Sequence, residues 1–91
     1  MALERRLVHY SGTVQGVGFR YTTVRVAAGF DVTGYVRNVR DGRVELLVEG
    51  DAAQIDAFLA ELADRMGYYI RHVDQQSGQA TGQYPGFEVR Y

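Results

Sequence analysis

The chain has 91 residues, enough for one modest hydrophobic core and too few for a second, so a single domain is expected over residues 1–91. Apolar residues make up 46% and charged residues 23%, an ordinary globular balance that argues against disorder. Cysteine is absent and every basic side chain is arginine, which excludes disulfides, thiolate metal sites, cysteine nucleophiles, lysine Schiff bases and the lysine of a Walker-type phosphate loop.

The formal net charge of −1 is unevenly spread. Residues 1–40 carry six arginines against Glu4 and Asp31, a net of +4, while residues 41–91 carry four against nine acids, a net of −5. A positive first half suits an anionic ligand or simply a solvated surface, and the overall balance is not that of a nucleic-acid-binding domain. No apolar run reaches the length of a membrane span, and "MALERRLVHY" lacks the long apolar stretch of a signal peptide. A cytoplasmic protein with no membrane or nucleic-acid partner is expected.

Along the chain, Leu7 to Gly12 reads as a short strand with Val8 and Tyr10 on one face. Phe19, Thr23, Val26, Ala27 and Phe30 then recur at three- and four-residue steps, the stripe of a helix. Val32, Val36 and Asn38 alternate with Thr33, Tyr35 and Arg37 in a second strand, and "RDGR" holds the Asp-Gly pair of a tight hairpin turn. Val44, Leu46 and Val48 share one face of a third strand, with Glu45 and Glu49 on the other. Asp51 is placed to cap a second helix, with Gln54 in the reciprocal position of a capping box. Ile55, Phe58, Leu59, Leu62 and Met66 form the buried stripe of that helix, and Gly67 is a natural stop. Tyr68 to Gln75 reads as a fourth strand, Gln76 to Gly86 as a polar loop, and Phe87, Val89 and Tyr91 as a closing strand. The order β-α-β-β-α-β with a terminal strand predicts an α+β fold, the ferredoxin-like split βαβ sandwich, with both helices on one face of an antiparallel sheet. That fold hosts many activities.

The chemistry gathers at "SGTVQGVGFRY", where the first strand gives way to the first helix. Gly16 and Gly18 reach positive φ cheaply, so successive N–H groups can point into one concavity, joined by the positive end of the helix dipole. Arg20 at the helix start adds a guanidinium suited to a bidentate hold on an oxyanion. The plainer reading is a tight connection with a solvent-exposed arginine. In this topology the first and second strands run parallel with the third between them, so Arg20 and Asn38 follow strand ends that meet at the same edge. Asn38 shares a face with Val36 and should turn towards the helix side. Its amide can hold a water there, or merely satisfy backbone groups before the hairpin.

Two segments, "GTVQGVGFR" (Gly12 to Arg20) and "GYVRNVRDGRV" (Gly34 to Val44), resemble the paired signature motifs of the acylphosphatases, small enzymes that hydrolyse the carboxyl-phosphate bond. The likeness extends over nearly the whole chain, with "VEG" before the second helix and "GFEVR" near the end also similar. It implies that the loop of Gln15, Gly16, Val17, Gly18 and Phe19 binds phosphate through backbone N–H groups. It further implies that Arg20 clamps the phosphate and that Asn38 orients the attacking water. A small acyl phosphate is the implied substrate, with inorganic phosphate as product and competitive inhibitor, no cofactor, no metal site, and a monomeric enzyme. His9 and His72 have no metal-ligand spacing.

Two departures from the family pattern stand out. "MGYYIR" replaces the Gly-Pro common after the second helix, and Asp31 stands where the family often has glycine, which Asp tolerates by visiting the left-handed region. Tyr68, Tyr69 and Tyr84 are candidate contacts for an acyl group or ordinary packing aromatics. The competing class is a non-catalytic anion-binding or RNA-binding module on the same plan. "GVGFRY" is superficially similar to an RNA-recognition motif, but that motif belongs on a central strand with its aromatics displayed.

Overall fold

Five strands and two helices are described by a computed structural model covering residues 3–91. They run β1 (Leu3–Gly12), α1 (Phe19–Ala27), β2 (Val32–Asn38), β3 (Val44–Asp51), α2 (Ala52–Met66), β4 (Ile70–Gln79) and β5 (Phe87–Arg90). A short 3₁₀ turn, Gly67–Tyr69, joins α2 to β4. The sheet order is β4-β1-β3-β2-β5, with β3 antiparallel to both β1 and β2 as the split βαβ plan requires. The sheet is mixed and not wholly antiparallel, because β5 runs parallel to its neighbour β2.

The core lies between the helices and one sheet face. Ile55, Phe58, Leu59, Leu62 and Met66 of α2 are buried, as their spacing predicts, against Val8, Val36, Val44, Leu46 and Val48 of the sheet. Each such side chain stabilises the fold by roughly 1.5–3 kcal/mol through removal from water. Phe19, Thr23, Val26 and Ala27 supply the buried face of α1, while Phe30 packs from beyond its end.

Several local expectations are corrected. β1 starts at Leu3, not Leu7, and the fourth strand runs from Ile70 to Gln79, leaving residues 80–86 as the loop. Asp51 occupies the N-cap position but makes no side-chain cap bond; Gln54 Oε1 instead accepts the Asp31 N–H at 2.8 Å, tying the end of α1 to α2. Gly67 closes α2 with φ −55°, in the ordinary right-handed region, because the chain continues into the 3₁₀ turn. Asp31 is not left-handed either, for among the described residues only glycines have positive φ.

Residues 80–86 carry the chain from the β4 edge to the β5 edge across the face away from the helices. Glu49 anchors this crossing, accepting hydrogen bonds from Thr81 N–H (3.0 Å), Thr81 Oγ1 (2.8 Å) and Gly82 N–H (2.9 Å). Gly34 N–H then donates to Gly86 O at 3.0 Å, which sets β5 in register beside β2.

Candidate active site

Register places the site. Tyr10 of β1 and Asn38 of β2 both stand opposite Val44, one on each side of β3. Directly opposed residues share a sheet face, so Asn38 turns to the helix side with Val44 and Tyr10. Tyr10 meets Phe19 at a ring-centroid distance of 5.0 Å, and both are buried. This contact fixes the first turn of α1 over the end of β1, and burial pushes the Tyr10 phenol pKa up.

Between β1 and α1 the chain turns through Gly16 (φ 81°) and Gly18 (φ 76°, ψ 22°). A Cβ at either position would meet nothing within 4 Å, so glycine is required by the left-handed backbone and not by lack of room. Gly18 is the N-cap of α1, its carbonyl accepting Thr22 N–H at 3.0 Å. No side chain caps the helix and no acid lies in its first turn. Among the described residues, no hydrogen bond inside the protein uses the N–H groups of Gly16 to Tyr21. The turn that carries these donors and the positive end of the helix dipole border a hollow of about 230 Å³, lined by Gly16, Gly18, Arg20 and Asn38 among others.

Arg20 projects from the first turn into that hollow. Among the described residues it has no carboxylate partner; its guanidinium lies 5.2 Å from the centroid of the Tyr91 ring. Asn38 is half-buried, and its side-chain amide makes no hydrogen bond to described protein groups, so the role of satisfying backbone before the hairpin is not the one seen. Phe19 borders the hollow while its ring belongs to the core, and Val17 packs against that core from the loop. Gln15 does something different from lining the hollow. Its Nε2 donates to Val39 O (2.7 Å) and Arg43 O (2.9 Å), fastening the glycine turn to the hairpin after β2.

A larger hollow of about 530 Å³ lies elsewhere, but Asp31, Glu49 and Asp51 line it, the wrong charge for an anion. His9 and His72 stand apart, His9 Nε2 being 2.9 Å from Glu45 and His72 Nε2 3.3 Å from Asp74. None of Tyr68, Tyr69 and Tyr84 lines the hollow: Tyr68 is exposed and meets Tyr69 edge to face, and Tyr84 packs with Tyr35 and Arg90. Besides Phe19, the aromatics lining the hollow are Tyr21 and Tyr91, which the sequence reading missed. The period-two stripe of Phe87, Val89 and Tyr91 held the signal for one, and adjacency to Arg20 the signal for the other. An RNA-stacking role for "GVGFRY" fails because Phe19 is 2% exposed and points inward.

Fold and site together define a two-layer α+β domain with a hollow at a strand-to-helix turn, lined by Gly16, Gly18, Arg20 and Asn38. Its relatives say which. The acylphosphatase family model matches residues 7–89, and the chain belongs to that family. It is 42% identical to an acylphosphatase of Paenarthrobacter aurescens over 93% of this chain and 92% of that one. It is 39% identical to an acylphosphatase of Archaeoglobus fulgidus over 100% and 99% of the two chains. The crystal structure of acylphosphatase from Bacillus subtilis superposes with a TM-score of 0.86 at 29% identity, covering 98% of this chain and 99% of the other.

Proposed function

We propose that this protein is a working acylphosphatase, cleaving acyl phosphates to a carboxylate and inorganic phosphate by direct in-line attack of water. The observation that carries the reading is a set of unclaimed N–H donors, an arginine without a carboxylate and a free amide, all on one small hollow. The N–H groups of Gly16 to Phe19 hold the phosphoryl oxygens, and Arg20 neutralises the charge that shifts onto them during transfer. Asn38 orients a water towards phosphorus; a carboxamide is too weak a base to take its proton. The new bond is water oxygen to phosphorus, and the broken one is phosphorus to acyl oxygen. The electron pair leaves with the carboxylate, and the water's proton ends on a phosphoryl oxygen. A carboxylate is a weak base, so no general acid is needed, and positioning with electrostatic stabilisation suffices. No metal or cofactor takes part in this scheme.

Residues 1–91 act as one catalytic domain, a monomer of the cytoplasm with no nucleic-acid partner. Inorganic phosphate competes with substrate for the same cradle. The test is hydrolysis of benzoyl phosphate by the purified chain with EDTA present, and competitive inhibition by added phosphate. Turnover insensitive to EDTA is expected. A folded chain that binds phosphate but does not turn over would leave a cradle with a binding role only.

A further inference from the structure

We propose that Tyr21 is the wall against which the acyl group packs, so that this residue makes the enzyme favour flat aromatic acyl phosphates over acetyl phosphate. The inference rests on the acylphosphatase reading and names the substrate preference of that same site. It begins with the volume. A phosphoryl group alone leaves part of a 230 Å³ hollow open, yet the space falls below the roughly 300–1,000 Å³ that takes drug-sized ligands. The occupant therefore carries a small extra group.

Direction follows from the chemistry. In-line displacement sets the attacking water and the leaving oxygen on opposite sides of phosphorus. Asn38 belongs to the sheet layer, so its water approaches from the sheet side and the acyl oxygen points away from the sheet. Phe19 and Thr23 fix the buried face of α1. Tyr21 stands two residues after Phe19, about 200° around the helix, which is the solvent side. It is 65% exposed and still lines the hollow. Arg25, one turn on, steadies the ring: its NH1 donates to the phenol oxygen at 3.3 Å, and its guanidinium lies 5.5 Å from the ring centroid.

Tyr91 offers the contrast. One step beyond the last paired register, Arg37 with Arg90, it comes alongside Asn38, and its ring meets the Arg20 guanidinium. It touches groups that every substrate uses, so changes there shift all substrates together.

The experiment measures kcat/KM for benzoyl phosphate and acetyl phosphate with the full chain and with Tyr21→Ala, Tyr21→Phe and Tyr91→Ala. The benzoyl-to-acetyl ratio is expected to fall about tenfold in Tyr21→Ala, the scale of one lost aromatic contact with its buried area, mainly through KM. Tyr21→Phe should retain the ratio within about twofold, since the ring remains. Tyr91→Ala should lower both substrates in step. The inhibition constant of inorganic phosphate in Tyr21→Ala, expected near that of the parent, reports that the cradle is intact. An unchanged ratio in Tyr21→Ala, with both substrates still turned over, overturns this inference alone. A parent that hydrolyses neither compound overturns the acylphosphatase reading and this inference with it.

Discussion

Hydrogen-bond donors converge at two kinds of place in this molecule, and they are treated in opposite ways. On the sheet face away from the helices, each cluster of donors encloses a carboxylate of the protein's own. Glu45, 9% exposed, accepts from Arg37 Nε (2.8 Å), Arg37 NH2 (3.2 Å) and Tyr35 OH (2.7 Å), with His9 Nε2 at 2.9 Å. Glu49, 3% exposed, takes the three donors of Thr81 and Gly82. At the glycine turn several backbone donors lie together, and no acid of the described residues answers them. Buried or part-buried polar groups are normally satisfied, and under the proposed function the phosphoryl group of the substrate is what satisfies these.

The sharpest way to break this contrast is Arg20→Ala. Clamp and charge disappear together, so kcat/KM for benzoyl phosphate should fall by about 10³-fold or more, with phosphate inhibition lost. Inhibition by phosphate at the parental concentration would remove Arg20 from the site. Asn38→Ala comes next, with kcat down about 10²–10³-fold and phosphate inhibition largely kept, because the water and not the phosphate loses its partner. Steady-state kinetics separates the two, and normal turnover in Asn38→Ala would end its assignment.

The internal carboxylates should behave as structure. Glu49→Gln sets an NH₂ donor against N–H donors, and denaturant unfolding should register a loss of about 1–3 kcal/mol while kcat stays within about twofold. An effect of comparable size is expected from acid. The Arg37 hydrogen bond, followed by those of Tyr35 and His9, overcomes burial and holds the Glu45 pKa at about 2, while burial and the bond to Glu45 push Tyr35 up to about 12. The Glu45 pKa is lower in the folded chain than in the unfolded one. Its stabilisation is therefore complete above the ordinary value of 4.5 and is lost as the pH falls towards 2, about 2 kcal/mol after solvent screening. Glu45→Gln should flatten that part of the pH–stability curve; an unchanged curve would mean that Arg37 and Tyr35 add nothing to the folded state.

Much of this was legible in the residues, and the gaps have physical causes. Both helical stripes and the alternation of β2 were readable because one face of each is buried, which forces the pattern; β3 is buried on both faces, and it was readable because Glu45 and Glu49 stand on the face away from the helices. β4 was misjudged because it is an edge strand: its residues Gln75 to Gln79 are exposed and polar yet paired to β1, so no alternation is imposed on them. The turn at Gly67–Tyr69 owes its place to a distant contact, Thr13 N–H donating to Tyr69 O at 3.0 Å. Local propensity does not carry such a bond. Likewise Gln54 was drawn from the cap of its own helix to Asp31, a residue 23 positions away. At the site, strand order brings the strand ends before Arg20 and Asn38 to one edge, but it was the resemblance of the two motifs to the acylphosphatases that singled out these residues. Tyr21 and Tyr91 were signalled only faintly, by adjacency to Arg20 and by the β5 alternation, and helix rotation and strand register were needed to bring them to the hollow.

Gln15, whose amide reaches both Val39 and Arg43, has a consequence for timing. The turn that would hold the phosphoryl group and the strand that ends in Asn38 are joined by a side chain as well as by the sheet, so the two cannot drift apart independently. Loss of their relative freedom accompanies folding and does not recur with each substrate molecule. The encounter then has only the substrate itself to immobilise.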